Sequence, residues 1–141
     1  MPTATLGPLA WLLLALGGAL GTFARFGLGA WVVQGAIARG WPVILGTPLG
    51  TWLINVAGCL AIGLVAALAV GRPAWVGPEA RLLLAVGFCG AFTTFSTFGL
   101  EAVTLVEQGR WDLAALYVLL SNLGGLVAVA VGLAVGRAVS S

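Results

Sequence analysis

Residues 87–98 read GFCGAFTTFSTF and lie in the middle of an apolar run that extends from about residue 82 to residue 106. The run is long enough to cross a bilayer, because a hydrocarbon core of about 30 Å takes roughly 20 helical residues. Its centre combines glycine with threonine and serine, which are poor helix formers. A helix break is therefore predicted there. Non-helical backbone at membrane depth is tolerated where it is buried in protein or lines a cavity, and it frees carbonyl oxygens that can hold a cation.

Three more apolar runs accompany this one, and charged or turn-forming residues separate all four. The predicted spans are about residues 9–33, 48–70, 82–106 and 113–135. Residues 1–8 contain no Lys or Arg, so the first run lacks the positive flank of a secretory signal and is expected to be a retained span. The sequence thus predicts an all-α integral membrane protein, a single four-helix transmembrane domain over residues 1–141, whose third helix is broken near its middle.

The composition excludes several classes of function. The chain is 61% hydrophobic and 7% charged, whereas a soluble domain carries about 25% charged residues. Its net charge of +2, with no histidine, leaves no basic footprint for nucleic acid. General acid–base catalysis needs positioned His, Asp, Glu, Lys, Tyr or Cys side chains, and this chain has few of them. We therefore expect neither an enzyme nor a nucleic-acid-binding protein.

The arginines divide evenly between the two sides of the membrane. With four spans, one side receives Arg72, Arg81 and Arg137. The other side receives Arg39, Arg110 and, if it lies toward the far end of the first span, Arg25. An even division removes the positive-inside bias that normally sets orientation. We therefore predict that copies insert both ways and pair as an antiparallel, dual-topology homodimer, which creates between two chains the inverted symmetry that many transporters contain within one.

Two small-residue motifs, Gly17-x-x-x-Gly21 and Gly132-x-x-x-Gly136, provide faces on which helices can approach closely. Such spacing is common in membrane helices, so it marks either an interface between copies or packing inside the chain. A chain of this length does not easily enclose a pathway alone, which makes oligomerisation a reasonable hypothesis.

Polar side chains form stripes on two of the predicted helices. Thr51, Asn55 and Gly58 lie at i, i+4 and i+7, and Tyr117 and Ser121 lie at i and i+4, so each set shares a helix face. These side chains either form hydrogen bonds between helices, which is frequent in membrane bundles, or present neutral donors to an anion. Amide and hydroxyl groups can replace hydration water without adding a charge that would trap the ion.

Aromatic and charged residues add to this set. Phe95 and Phe98 are three residues apart and can face the same side of a helical turn. Phenyl edges carry the positive end of the ring quadrupole and could contact a small anion, although such pairs more often pack in a core. Arg25 is either a functional intramembrane charge or a membrane anchor. Glu101, near the end of the third span, is similarly undecided.

These motifs resemble those of the Fluc, or CrcB, fluoride channels over nearly the whole chain. Residues 17–26, GGALGTFARF, are similar to the family's span-one motif, with Phe26 where Tyr is usual. Residues 50–58, GTWLINVAG, resemble the span-two motif with its pore asparagine, and residues 87–98 resemble the highly specific span-three signature. Two departures are Ala91, where a third glycine is common, and Leu123, which makes the polar track sparser.

The resemblance implies a fluoride-selective channel in the cell membrane (plasma or bacterial inner membrane), built as a dual-topology antiparallel homodimer with two pores, with fluoride and membrane lipid as its other partners. Asn55, Phe95 and Phe98 match the fluoride-lining residues of the family, and Thr51, Tyr117 and Ser121 match its polar track. The backbone carbonyls of Gly90 and Thr93 match the ligands of a structural Na⁺ at the dimer centre. The expected function is passive export of cytoplasmic fluoride.

The sequence leaves two alternatives to a channel. A small four-helix, dual-topology multidrug or cation exporter has similar size and balanced charge, but such proton-coupled carriers depend on a carboxylate that span one lacks. A structural subunit that packs against larger membrane partners explains the small-residue faces, but not the combination of Asn, Tyr, Ser and Phe.

Overall fold

A computed structural model describes residues 7–70 and 76–140 of the protein. Four helical spans cross the molecule, each long and apolar enough to traverse a membrane. The first two are α1 (Pro8–Ala38) and α2 (Val43–Val70), and the last is α6 (Trp111–Ser140). The third span, Pro78–Glu107, is composite. No strand is present in the described ranges. The predicted all-α protein with four membrane-spanning helices is confirmed.

The third span consists of four consecutive segments. They are α3 (Pro78–Arg81), a π-helical segment (Leu82–Cys89), α4 (Gly90–Phe92) and α5 (Phe95–Glu107). Between α4 and α5, Thr93 and Thr94 are both extended, with φ and ψ of −80° and 157° and of −148° and 111°. The Thr94 hydroxyl caps α5 by accepting a hydrogen bond from the Thr97 N–H at 3.2 Å. The predicted break is therefore present, and it falls at these two threonines.

The two small-residue motifs pack helices together within the chain. A Cβ atom added to Gly17 or Gly21 would meet backbone atoms of the third span, including the carbonyl oxygens of Leu83 and Phe88. Gly132 of α6 packs in the same way on the Leu60 carbonyl of α2. Because only glycine allows such close backbone approach, these motifs join α1 to the third span and α2 to α6. They are not free to form an interface between copies.

Some helix limits differ from those expected from the sequence. The second helix begins at Val43 and contains Pro48 in its interior, whereas the predicted span begins at Pro48. The first helix continues to Ala38, which places Arg25 well inside it and not toward its end. Arg72, which the orientation argument used, lies outside the described residues.

The surface of the protomer is mostly apolar. Large side chains on all four spans are more than half exposed, among them Phe23 at 74%, Phe26 at 78% and Leu126 at 69%. A soluble protein rarely exposes a contiguous apolar surface of this extent. The protein is therefore a multi-pass membrane protein, and lipid or another chain must cover these side chains.

Candidate functional site

The break in the third span is bonded to α2 through one side chain, Asn55. Its Oδ1 accepts a hydrogen bond from the Thr94 N–H at 2.8 Å, and its Nδ2 donates to the Thr94 carbonyl at 3.1 Å. An extended residue inside a membrane loses its helical partners, and a bare peptide group there costs several kcal/mol. Asn55 replaces both lost bonds with one amide. It therefore stabilises the break, and one Nδ2 hydrogen remains for another acceptor.

A groove of about 350 Å³ runs along the break, and we call it the break groove. Its lining comes from α2, the third span and α6: Asn55, Gly58, Cys59, Ile62, Cys89, Gly90, Thr93, Thr94, Phe95, Phe98, Ser121 and Asn122. Gly58 has no space for a larger side chain, because a Cβ atom there would collide with the Thr93 Cγ2. Four of the six predicted pore residues, Asn55, Phe95, Phe98 and Ser121, thus lie together.

A row of aromatic rings extends from the break groove toward α6. The ring centroids of Phe95 and Phe98 are 5.5 Å apart, and those of Phe98 and Tyr117 are 5.2 Å apart, with both pairs tilted. Phe95 is 84% exposed on the protomer, whereas Tyr117 is buried. The Phe pair does face one side, as expected. In tilted pairs each ring can present an edge to a neighbour or to a ligand in the groove.

Ser121 contributes a hydroxyl with no partner. Its Oγ is buried, and within the described residues no hydrogen-bond donor or acceptor reaches it. Most helical serines in membranes donate to the carbonyl of residue i−4, as Ser140 does to Gly136 at 2.8 Å. A buried hydroxyl without a partner costs about 1–3 kcal/mol. Since Ser121 lines the break groove, this unsatisfied hydroxyl lies in the wall of the groove.

The break also frees backbone carbonyls. Thr93 donates both its N–H and its hydroxyl to the Cys89 carbonyl, at 3.1 Å and 3.0 Å. The Thr94 N–H, which would bond to Gly90 in a continuous helix, is directed to Asn55 instead. Among the hydrogen bonds of the described residues, none donates to the carbonyls of Gly90 or Thr93. These oxygens are hard ligands of the kind that an alkali-metal cation takes from protein backbone.

A second polar group, which we call the Glu101 cluster, consists of Thr51, Glu101 and Tyr117. The Tyr117 hydroxyl donates to Glu101 Oε2 at 2.7 Å, and the Thr51 hydroxyl donates to Glu101 Oε1 at 3.0 Å. Thr51 and Tyr117 are buried. Neither of these two predicted pore residues lines the break groove, and each has its single hydroxyl hydrogen directed at a carboxylate. Their contact with an ion stays a prediction.

A larger cavity of about 510 Å³ lies on the other side of the break, and we call it the Arg25 cleft. Its polar lining comes from α1, α2 and the third span: Thr22, Arg25, Thr47, Thr51, Thr94, Thr97 and Glu101. No carboxylate of the described residues forms an ion pair with Arg25. Thr94 lines both this cleft and the break groove, so the two cavities adjoin at Thr94.

Sequence reasoning missed the importance of Thr94 and left Glu101 undecided. Thr94 lies in the predicted break, but nothing in its spacing shows that its peptide group bonds to α2. Glu101 is separated by 50 residues from Thr51 and by 16 from Tyr117. The available signal was chemical, because a carboxylate inside an apolar span requires donors.

Comparison with known proteins gives a consistent result. Residues 12–133 match the model of the family described as "CrcB-like protein, Camphor Resistance (CrcB)". The chain belongs to the CrcB family. The matched range contains every residue of the break groove and of the Glu101 cluster. The resemblance proposed from the motifs is thereby confirmed.

Curated relatives of the CrcB family cover nearly all of this chain. A protein named "Fluoride-specific ion channel FluC" from Nitratidesulfovibrio vulgaris is 46% identical over 127 residues, which is 90% of this chain and 96% of the relative. Proteins of the same name from Chloroflexus aurantiacus and Paracoccus denitrificans are 43% identical over 126 residues and 46% identical over 123 residues. These alignments include 89% and 87% of this chain, and 94% and 90% of the relatives.

Proposed function

We propose that this CrcB protein is a fluoride channel that allows passive export of fluoride across the cell membrane. The observation that carries the proposal is the break groove, where an amide hydrogen of Asn55 and the unpartnered hydroxyl of Ser121 lie beside the rings of Phe95 and Phe98. The relatives named as fluoride-specific channels, similar over nearly their full length, support the same conclusion. A channel performs no covalent chemistry, so the protein is not an enzyme.

Neutral donors suit fluoride for a physical reason. Fluoride is small and strongly hydrated, so a pore must return hydrogen bonds as it removes water. A fixed cation would bind the ion too tightly for rapid release. In the break groove the donors carry no formal charge, and phenyl edges complete the contact through their positive rim. The exposed edge of Phe95 can displace water from around fluoride. It offers no hydrogen-bond acceptor that would compete with fluoride for the donors of the groove.

The route that we propose connects the two cavities. Fluoride enters through the Arg25 cleft, where Arg25 attracts anions, and passes the Asn55–Thr94 contact into the break groove. The Thr51 and Tyr117 hydroxyls lie beside this passage and serve the ion only when Glu101 releases them. This step accounts for the match of both residues to the polar track of the family, although they lie outside the break groove.

The functional unit that we propose is the antiparallel, dual-topology homodimer. The argument rests on the exposed half of the site: Phe95 is 84% exposed, and Gly90 at the break is exposed as well. Lipid cannot satisfy the free carbonyls of a helix break. A second copy, inverted so that the two breaks meet, would cover both the Phe95 ring and the exposed backbone at Gly90. We further propose that the carbonyls of Gly90 and Thr93 from each copy hold a structural Na⁺ at that junction.

Reconstitution of the purified protein alone in liposomes tests the function. The liposomes are loaded with equal fluoride and chloride, and efflux of each is followed with ion-selective electrodes after valinomycin collapses the voltage. We expect rapid fluoride loss with chloride retained, and protein-free liposomes give the background. Equal loss of both halides would contradict the proposal. Proton-coupled transport of a cationic dye without fluoride efflux would instead support the exporter alternative.

A further inference from the structure

The fluoride route leaves two groove residues unexplained, Cys59 of α2 and Cys89 of the π-helical segment. They are the only cysteines of the chain. Both are free thiols, and both line the break groove. Cys89 is 3% exposed, whereas Cys59 is partly buried. Neither donates a hydrogen bond that stabilises the break, so their position in the groove calls for another explanation.

The packing of α2 on the third span brings these two residues into the wall of one groove. The helices run in opposite directions, and two contacts define their register. Asn55 bonds to Thr94, and a Cβ atom on Gly58 would meet Phe92 and Thr93. A forward step along α2 therefore corresponds to a backward step along the third span, which places Cys59 beside the turn of Cys89.

The turn that carries Cys89 is held in place. Its carbonyl accepts from both the N–H and the hydroxyl of Thr93, at 3.1 Å and 3.0 Å. On the opposite side, Cys59 Sγ lies 3.3 Å from the position that a Cβ atom of Gly125 would occupy. Both cysteines are thus carried by packed helices, so the walls of the groove that they line are fixed before a ligand binds.

The chemistry of this pair selects a soft metal ion. Thiolates bind Cu(I) and similar soft cations, whereas amides, hydroxyls and carbonyls prefer hard ones. The other polar side chains of the groove are all hard donors: Asn55, Thr93, Thr94, Ser121 and Asn122. Binding would displace one proton from each thiol, with no change of oxidation state: two Cys–SH groups and one Cu⁺ give one S–Cu–S unit of charge −1 and two H⁺.

We propose that Cys59 and Cys89 form a two-thiolate site for a soft monovalent metal ion, and that a metal ion bound there closes the fluoride pathway. The closing effect rests on the proposed function, but the metal site does not. The bound unit occupies the groove and adds a negative charge beside Asn55 and Ser121. Fluoride that loses its hydration water at this level would be repelled by that charge.

Cu(I) binding by the detergent-solubilised full chain tests the site directly. Ascorbate keeps the copper reduced, and the chelator bicinchoninate competes for it. We expect wild-type protein to remove one Cu(I) per chain from the chelator, with at least about 100-fold weaker binding by Cys59→Ser and Cys89→Ser, because each variant loses one of two soft ligands. Equal binding by wild type and both single variants would overturn the proposal, since it would indicate independent thiols.

A measurement on wild-type protein avoids any effect of the substitutions on folding. N-ethylmaleimide alkylation is followed by intact mass, with and without one equivalent of Cu(I). We expect the metal to protect Cys59, the more accessible of the two thiols, from alkylation. Unchanged alkylation of Cys59 in the presence of the metal would contradict a shared site.

Fluoride efflux from liposomes then tests closure, with each variant compared with its own metal-free rate. One Cu(I) per chain should slow wild-type efflux by at least about tenfold, with recovery after chelation and no effect in the serine variants. Stoichiometric Cu(I) binding with undiminished efflux would overturn closure. Absence of fluoride efflux before any metal is added would instead refute the proposed function and leave the binding result intact.

Discussion

The break groove and the Glu101 cluster are neighbouring polar regions built from the same three parts of the chain, yet their hydrogen bonding differs. In the Glu101 cluster both hydroxyls have a partner, with donor–acceptor distances of 2.7 Å and 3.0 Å. In the break groove the Ser121 hydroxyl has none among the described residues, and Phe95 is largely exposed.

This difference separates polar groups that stabilise the bundle from polar groups that await a ligand. A membrane bundle ordinarily satisfies its buried polar atoms internally, as the Glu101 cluster does. The break groove, in the same bundle, leaves a buried donor without a partner in the part of the chain that the structure describes. This lowers the stability of the bundle but keeps the donor free to bind a ligand. Removal of a hydroxyl from the Glu101 cluster should therefore lower the thermal stability of the protein, whereas removal of the Ser121 hydroxyl from the break groove should leave it unchanged or raise it.

The largest effect is expected from Asn55→Asp, which replaces the groove amide by an isosteric acid. A carboxylate 4 Å from fluoride repels it by about 4 kcal/mol at an effective dielectric constant of 20. Fluoride efflux should therefore fall by at least about 100-fold. The control, Gln108→Glu, makes the same type of change at an exposed residue after α5 and should conduct normally. Unchanged efflux in Asn55→Asp would remove this residue from the pore.

Tyr117→Phe should produce the next largest effect, and mainly on stability. It removes a 2.7 Å hydrogen bond to the Glu101 carboxyl group, and bonds to charged groups contribute about 1.5–3 kcal/mol. We expect a lower midpoint of thermal unfolding in detergent, together with slower fluoride efflux because the hydroxyl also lies on the proposed route.

A related substitution, Thr51→Val, should destabilise the protein less than Tyr117→Phe, because its bond to Glu101 is longer at 3.0 Å. Thr104→Val is a suitable control, since the Thr104 hydroxyl bonds only to its own helix at Leu100. If Tyr117→Phe unfolded at the wild-type temperature, the hydrogen bonds of the Glu101 cluster would not stabilise the bundle, contrary to our inference.

Phe98→Ile should reduce fluoride efflux by about tenfold while the protein remains folded. The substitution keeps an apolar side chain but removes the ring edge, and aromatic geometry is worth about 0.5–1.5 kcal/mol beyond its buried area. Phe23→Ile serves as the control, because Phe23 is exposed on α1 away from the groove. Equal efflux in the two variants would reduce Phe98 to a packing residue.

Ser121→Ala should have the smallest effect on fluoride efflux, and the direction of its effect on thermal stability is the most informative of the series. Because the hydroxyl has no partner, its removal should leave thermal stability unchanged or slightly higher. Fluoride efflux should nevertheless slow by about three- to tenfold, as one donor is lost. Ser140→Ala, which removes a bonded hydroxyl near the end of α6, should leave efflux unchanged. Loss of stability without loss of efflux in Ser121→Ala would reverse our assignment of the two regions.

Much of the fold was predictable, because its causes are local. Apolar runs separated by charges and turn formers determine four spans, and the Gly, Thr and Ser content of residues 87–98 predicts the break. The helix limits were less predictable. Pro48 is a plausible helix start by its sequence, but α2 begins at Val43 and contains Pro48 in its interior. Membrane helices tolerate an interior proline because other groups in the bundle can satisfy the freed backbone carbonyl.

The candidate site was predictable in its members but not in its arrangement. Spacing placed Thr51 and Asn55 on one helix face, yet Thr51 bonds to Glu101 and Asn55 bonds to Thr94. Likewise, Tyr117 and Ser121 are one turn apart on α6, and only Ser121 lines the break groove. Periodicity identifies a face but not the neighbouring helix that packs against it.

By itself, the sequence determined that this is a four-span membrane protein with a broken third helix, and its motifs were sufficient to indicate the CrcB family. Hydropathy and local helix propensity act along the chain, so both can be read from it. Only the tertiary structure decided which polar groups are satisfied and which remain open. That distinction depends on contacts between residues far apart in sequence, such as Thr51 with Glu101 and Asn55 with Thr94, which form only when the helices pack.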